Sequence, residues 1–289
     1  MSLYANPSLY RAFFAPSVEL RTSIDALVRK HVGAKDVTKL RVIDPACGPA
    51  TWIEHFADRG AKVVGIDIEP KAVKAARLHL GDRPATVVEG DMRQPPASVK
   101  GPFALAINPD NSVGHLGGLV DVAAHLAAMH RLLRSPKGDG GHYVVGLAVR
   151  EPGDELDVGT VYERGPVEVG GGGLAALRTE TLGLVDVQHP DGLRCERIRH
   201  TILAVGVEGV GPIVLEQYDL LTFPFATLRS LLAENGPWTV VDCRDATDEA
   251  LPRKRLGPGA GDVLLTLRAD KAATSSARRL RLGRATKKR

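Results

Sequence analysis

The chain has 289 residues, of which 44% are hydrophobic and 25% are charged, as in an ordinary globular protein made of one large domain or a core with a subdomain. Its formal charge of +4 is uneven, because residues 271–289 hold eight Lys and Arg and no acid, which leaves 30 basic and 34 acidic residues elsewhere. The body of the chain therefore lacks the net positive charge of a dedicated nucleic-acid binder.

The three cysteines, Cys47, Cys195 and Cys243, lie far apart and form no CxxC pair. This spacing argues against a disulfide framework or a zinc site and predicts a reducing environment. The first residues contain no basic segment followed by a long apolar one, and no apolar run approaches the length of a membrane span. We therefore expect a cytoplasmic protein without a metal site or a membrane contact.

Taken in chain order, the first predicted element is a helix over 17–33, with Ser17 as its cap and Gly33 as its stop. It belongs to a predicted N-terminal cap segment, 1–38. Short β-rich runs then alternate with helical patterns through 39–150, which predicts right-handed βαβ units around a parallel sheet. The predicted strands are 39–44, 61–67, 85–90, 103–108 and 142–149, and the predicted helices are 51–58, 70–80 and 117–134.

The alternation ends after Arg150, where a polar, glycine-rich stretch precedes a group of longer strand candidates. Their separators, HPDG and EGVG, are typical of turns between antiparallel strands. We predict an antiparallel β insert over 151–222, a return to the core over 223–270, and a disordered basic tail over 271–289. The three predicted insert strands are 175–187, 193–206 and 212–222, and the core returns with a helix over 224–235 and strands over 238–243 and 262–269.

Three acidic residues each stand at the end of a predicted core strand: Asp44, Asp67 and Asp91. The carboxyl ends of parallel strands meet at one edge of a sheet, which is where open α/β proteins bind ligands. The turn after Asp44 reads DxAxGxA, whereas a dinucleotide loop requires GxGxxG and a P-loop requires a Lys-Ser or Lys-Thr pair. This excludes the phosphate-binding patterns and favours a ligand with an adenosine moiety but no phosphate.

Three segments carry a family resemblance. VIDPACGPAT (42–51) resembles the first motif of class I S-adenosylmethionine-dependent methyltransferases, while VVGIDIEP (63–70) and VEGDMRQ (88–94) resemble the second and third. The resemblance covers 40–150 well and 222–269 loosely. It implies an α/β fold with a Rossmann-like, seven-stranded, mostly parallel sheet and helices on both faces, to which the antiparallel insert is added. It also implies S-adenosylmethionine as the cofactor.

The same resemblance implies roles for individual residues. Asp67 accepts hydrogen bonds from both ribose hydroxyls, Asp91 accepts from the exocyclic amine of adenine, and the adenine lies between two apolar side chains. Small residues after the first strand let the backbone approach the methionine part of the cofactor, although alanines replace the first and last glycines of the motif. The predicted cofactor-binding residues are Asp44, Ala46, Cys47, Gly48, Asp67, Ile68, Asp91, Met92 and Asn108.

The segment FALAINPDNSVGHL (103–116) is the candidate acceptor side. Its Asn111, Ser112, His115 and Leu116 match a segment of glycine-N-methyltransferase-like and other small-molecule methyltransferases. Its Asn-Pro pair also resembles the Asn-Pro-Pro-aromatic motif of enzymes that methylate planar amides and base amines, but the aromatic residue is replaced.

We name Asn108, Asn111 and His115 as candidate catalytic residues. His115 either takes a proton from the acceptor or packs at the start of the following helix.

Other side chains admit two interpretations each. Tyr4 and Tyr10 either close the cofactor pocket or pack against the core, and His200 and Tyr218 either line the acceptor pocket or lie outside it. Cys47 has no partner cysteine and no motif base, which argues against a reactive thiol.

The leading hypothesis is a methyltransferase that transfers a methyl group to a small-molecule amine or hydroxyl by in-line displacement, as a monomer or homodimer. In it, the insert serves as a lid, an acceptor wall or a dimer contact. One alternative is an RNA- or protein-directed methyltransferase, with weak nucleic-acid contact through the basic tail. Another is a non-catalytic subunit that keeps the fold.

Overall fold

The computed structural model describes residues 3, 6–33, 36–135, 140–155, 159, 161–185 and 193–271. The helices are α1 (Pro7–Phe14), α2 (Val18–Val32), α3 (Ile53–Ala57), α4 (Pro70–Leu80), α5 (Leu119–Leu133) and α6 (Phe225–Glu234). The strands are β1 (Arg41–Asp44), β2 (Lys62–Asp67), β3 (Ala85–Glu89), β4 (Leu105–Asn108), β5 (His142–Val149), β6 (Val161–Val169), β7 (Gly173–Val185), β8 (Cys195–Val205), β9 (Ile213–Leu221), β10 (Trp238–Asp245) and β11 (Gly261–Ala269). Tyr4 and residues 272–289 of the predicted tail lie outside the described residues.

Helix boundaries follow from local capping chemistry. The Ser17 hydroxyl accepts a hydrogen bond from the Leu20 amide at 3.0 Å, and Gly33 ends α2 with a φ of 68°, a conformation that glycine adopts without strain. Pro70 opens α4 at a position where its missing N–H is not needed. The predicted helices over 17–33 and 70–80 therefore form where the sequence places them.

The core is a seven-stranded sheet in the order β10-β11-β5-β4-β1-β2-β3. β11 runs antiparallel to both neighbours, and the other pairings between adjacent strands are parallel. Helices α2, α3 and α4 bury apolar side chains such as Ile24, Phe56 and Val73 on one face, while α5 and α6 bury Met129 and Leu231 on the other. The predicted seven-stranded, mostly parallel sheet with helices on both faces is confirmed.

A second, antiparallel sheet has the order β6-β7-β8-β9. The predicted antiparallel insert is confirmed. The prediction of three strands is wrong, because the sheet has a fourth strand, β6, which was not predicted. This edge strand is mostly exposed, so it has no apolar alternation to reveal it. Gly165 and Pro166 also interrupt it where its pairing with β7 shifts register.

Helix α1 joins the two sheets. The predicted N-terminal segment contains one helix, whereas the structure has two, because Asn6 caps a short additional helix through the Leu9 amide at 3.1 Å. Leu9 and Phe13 pack with buried residues of the antiparallel sheet such as Leu177 and Ile202. Among the described helices, none is long and apolar enough to cross a membrane.

Candidate active site

A cavity of about 360 Å³ lies at the carboxyl ends of the parallel strands. Its wall combines the loop after β1, the end of β2, the segment after β3, the turn after β4 and Tyr10 of α1. The predicted residues that line it are Ala46, Gly48, Asp67, Ile68, Asp91, Met92 and His115. The structure therefore brings all three motifs and one candidate catalytic residue to one cavity.

Asp67 connects the first two motifs. Its Oδ2 accepts a hydrogen bond from the Gly48 amide at 2.7 Å, and its Oδ1 accepts one from the Glu69 amide at 2.9 Å. Burial raises the pKa of Asp67, although these backbone donors oppose the increase. The carboxylate thus holds the β1 loop while it remains on the cavity wall.

The two alanines of the loop differ in backbone conformation. Ala50 has a φ of 70°, in the left-handed region, which costs a non-glycine residue roughly 1–2 kcal/mol. Ala46 lies outside that region. Ala46, at the first glycine position, is therefore free of this backbone strain. Ala50, at the last glycine position, carries the strain and is fully buried.

Asp44 and Cys47 lie behind the loop and do not line the cavity. The Asp44 carboxylate accepts a hydrogen bond from the Ala46 amide at 3.1 Å, and burial, together with the charges of Asp110 and Asp67, raises its pKa well above the ordinary value. Burial likewise raises the pKa of the Cys47 thiol, which leaves it neutral and unreactive. Asp44 therefore supports the loop from below.

Asn108 and Asn111 also lie outside the cavity lining. The Nδ2 of Asn108 donates to Ser112 Oγ at 3.1 Å, and Asn111 has a φ of 52°, a left-handed conformation that asparagine tolerates. Asn108 ends β4, and Asn111 begins the turn that presents Ser112 and His115 to the cavity. Both residues are therefore placed to support this turn.

Several residues on the cavity wall were not predicted from the sequence, and two of them, Arg93 and Asp121, form an ion pair. The Arg93 guanidinium binds both carboxylate oxygens of Asp91 through Nε, at 3.0 and 2.8 Å, and reaches Asp121 at 2.6 Å. This pairing lowers the pKa of Asp91, so its carboxylate is ionised at neutral pH. The only signal in the sequence is an arginine two residues after the acid.

His115 is accessible from the cavity yet surrounded by protein, and this burial lowers its pKa below the ordinary value of 6.5. The imidazole is therefore neutral at pH 7. Its ring lies 5.3 Å from that of Tyr218, whose hydroxyl forms a 2.9 Å hydrogen bond with Nε2 of His200. Tyr218 and His200 do not line the cavity themselves, but Tyr218 contacts His115, which does.

The sheet order, the loop of small residues after β1 and the acids after β2 and β3 define the class I methyltransferase fold. Comparisons with known proteins agree. Residues 42–138 match the family model described as a methyltransferase domain. The chain superposes on Streptomyces venezuelae DesVI with a TM-score of 0.62, at 19% identity over 89% of this chain and 94% of that one.

A second solved structure is CalS10, an amino pentose methyltransferase from Micromonospora echinaspora with S-adenosylmethionine bound. It covers 92% of this chain and 97% of its own length at 20% identity, with a TM-score of 0.61. A curated relative, the ubiquinone biosynthesis O-methyltransferase of Nitrosomonas europaea, is 54% identical over 39 residues, which span 14% of this chain and only 17% of that relative. The predictions of a class I methyltransferase fold and a methyltransferase domain are confirmed.

Proposed function

We propose that the protein transfers the methyl group of S-adenosylmethionine to an amine or hydroxyl of a small molecule. The observation that carries this proposal is the convergence of the three motifs on one cavity of about 360 Å³, a size typical of small-molecule sites. When bound, the cofactor supplies a methyl group on a sulfonium; a bond forms from the acceptor nitrogen or oxygen to the methyl carbon while the carbon–sulfur bond breaks and sulfur keeps the electron pair.

The residues of the cavity fit this cofactor. The carboxylates of Asp67 and Asp91 offer acceptors suited to ribose hydroxyls and to the adenine amine. Ile68, 70% exposed, and Met92 offer apolar surface for a planar base. Gly48 supplies backbone without a side chain where the methionine part would lie.

At the acceptor end, His115 is suited to act as the base. Its neutral imidazole can take the proton that the acceptor releases and pass it to water. Methyl transfer needs mainly alignment and exclusion of water, and contacts of α1, which places Tyr10 on the cavity wall, contribute to both. Arg11 of α1, for example, donates to the Pro49 carbonyl at 2.8 Å and so fastens α1 over the β1 loop.

A cavity of about 360 Å³ favours a small acceptor over RNA or protein. CalS10, a protein of the same fold, is named for methylation of an amino pentose, which is a small molecule. The basic tail that motivates a macromolecular substrate falls almost entirely outside the described residues. The small-molecule function is therefore the one that the described residues support.

Titration calorimetry of the whole protein with S-adenosylmethionine tests the proposal. We expect saturable binding, followed by label transfer from methyl-labelled cofactor to at least one member of a panel of small amines and alcohols. Lack of binding at millimolar cofactor would contradict the proposal and favour a non-catalytic subunit. Label transfer to RNA or protein alone would contradict the small-molecule acceptor.

His115→Gln tests the proposed base. We expect kcat to fall about 100-fold, because a positioned general base contributes roughly 10²–10⁴. In the wild type, kcat should decrease as the pH falls through the pKa of His115, which lies below 6.5, and this decrease should be absent in the variant. His79→Gln, a control on α4 at a partly buried residue that does not line the cavity, should keep the wild-type profile; an unchanged profile for His115→Gln would assign His115 a packing role only.

A further inference from the structure

Five rings form a continuous row beside the cavity: Tyr10, Phe14, His200, Tyr218 and His115. Their successive centroids are 5.0, 6.0, 5.1 and 5.3 Å apart. The first and last of these residues line the cavity. We call this row the ring wall; it is a wall of aromatic surface that begins and ends at the cofactor cavity.

The ring wall is built from elements far apart in the chain. Tyr10 and Phe14 belong to or end α1, His200 and Tyr218 stand on the neighbouring strands β8 and β9, and His115 ends the turn after β4. The hydrogen bond between the Tyr218 hydroxyl and His200 fixes two of the rings relative to each other. His200 is only 2% exposed, so the rings that face the cavity are Tyr10 and His115, and the other three pack behind and between them.

A carboxylate that the proposed reaction does not yet use lies in the same turn. Asp110 follows β4, and its Oδ2 accepts a hydrogen bond from Trp52 Nε1 at 2.8 Å. Among the described residues no other hydrogen bond reaches this carboxylate, and no ion pair joins it to a cation. Asp110 does not line the cofactor cavity, but it stands two residues before Ser112, which does. Its side chain is exposed although protein atoms surround it, which places it in a concave part of the surface that we call the Asp110 recess.

The charge of Asp110 is only weakly compensated. Burial raises its pKa to about 6, so the carboxyl is mostly ionised at pH 7. The charge of Arg164 on β6 lowers this pKa, but its guanidinium donates to the Phe13 carbonyl and lies 5.9 Å from the Phe14 ring centroid. Arg164 thus connects the Asp110 recess to the ring wall without neutralising the carboxylate by direct contact.

We propose that Asp110 and the ring wall form an acceptor subsite for an aliphatic amine, with Asp110 receiving its N–H groups and the cavity-facing rings at the two ends of the wall packing on its carbon skeleton. The inference rests on the proposed function and specifies its acceptor. A carboxylate and aromatic faces together recognise an organic cation, since each attracts positive charge. A neutral hydroxyl compound gains no such charge interaction.

The chemistry balances with the residues present. An aliphatic amine arrives as an ammonium ion and must lose one proton before its lone pair can attack, and the neutral imidazole of His115 accepts that proton and releases it to water. On methyl transfer the nitrogen gains the bond to carbon, and the positive charge of the sulfonium passes to the methylated ammonium. Asp110 remains beside a positive nitrogen before and after the step.

The test uses two probes of equal shape, cyclohexylamine and cyclohexanol, with the whole protein saturated with S-adenosylhomocysteine. Calorimetry or ligand-observed NMR gives the two affinities. We expect the amine to bind wild-type protein at least tenfold more tightly than the alcohol, and Asp110→Asn to remove this preference. Equal binding of the two probes by wild-type protein, an unchanged preference in Asp110→Asn, or binding of neither probe would overturn the inference.

Controls keep this result separate from the proposed function. Asparagine at position 110 still offers an oxygen to Trp52, so the variant should fold, and Asp58→Asn on the protein surface removes a charge of the same kind without changing the preference. Cofactor affinity is measured in every variant. A wild type that binds no cofactor sinks the proposed function, whereas normal cofactor binding without an amine preference sinks only the assignment of the subsite.

Discussion

Replacing Asp67 by alanine is expected to weaken the binding of S-adenosylmethionine about 100-fold. The carboxylate holds the Gly48 and Glu69 amides at 2.7 and 2.9 Å and lines the cavity where the ribose is proposed to bind. The two ribose hydroxyls are proposed to donate to this carboxylate. Hydrogen bonds to charged groups contribute about 1.5 kcal/mol each or more, so loss of both ribose contacts costs roughly 3 kcal/mol, or a factor of about 100 in Kd. Titration calorimetry measures this change directly.

Two further variants separate the causes. Asp67→Asn keeps one acceptor oxygen and the size of the side chain, so we expect a loss of only about tenfold, equal to about 1.4 kcal/mol. Asp58→Asn, which changes an exposed acid on the C-terminal cap of α3, should bind the cofactor as the wild type does. Unaltered affinity in Asp67→Ala would mean that the second motif does not belong to the cofactor site.

The cofactor side could be predicted from the sequence because its residues stand at fixed points of the βα alternation. A parallel sheet places the ends of adjacent strands side by side, and Asp44 indeed pairs with Gly65 of β2. An acid at a strand end is therefore located in space once the strand is recognised. Asp67 meets Gly48, 19 residues earlier, for this reason.

The acceptor side could not be predicted in the same way, because it depends on the register of antiparallel strands. Tyr218 reaches His200 only because Ile198 lies opposite Tyr218 and Glu216 lies opposite His200. Both faces of β8 carry polar and apolar residues, so alternation alone leaves that register open. The approach of Phe14 to His200 adds a contact across most of the chain length.

Asp110 shows a related limit. Its sequence neighbours identify a strand end, but its hydrogen bond to Trp52 and its position in a recess arise from tertiary packing. The residue type alone is equally compatible with an exposed turn acid. Accessible surface combined with dense surroundings, which only a structure reveals, distinguishes the two.

Gly146→Ala is expected to lower the free energy of unfolding by about 2 kcal/mol and to impair the acceptor side more than the cofactor side. A Cβ at this position of β5 would lie 1.9 Å from the Pro109 carbonyl oxygen and 3.1 Å from the Asn111 amide, both backbone atoms. Overpacking of this kind typically costs about 1–3 kcal/mol. The segment that must move contains Asp110, whereas Asp67 stands at the end of β2.

Urea unfolding measures the stability change, and the affinities for cyclohexylamine and S-adenosylmethionine measure its location. We expect the affinity for the amine to fall about tenfold, because displacement of Asp110 need cost only about 1.4 kcal/mol of binding free energy to have this effect. The affinity for the cofactor should change less than about threefold. Gly153→Ala is the matched control: its Cβ would meet nothing within 4 Å, so its stability should stay within about 0.5 kcal/mol of wild type. Equal loss of both affinities in Gly146→Ala would contradict this prediction, because it would mean that the turn after β4 supports the cofactor as much as the acceptor.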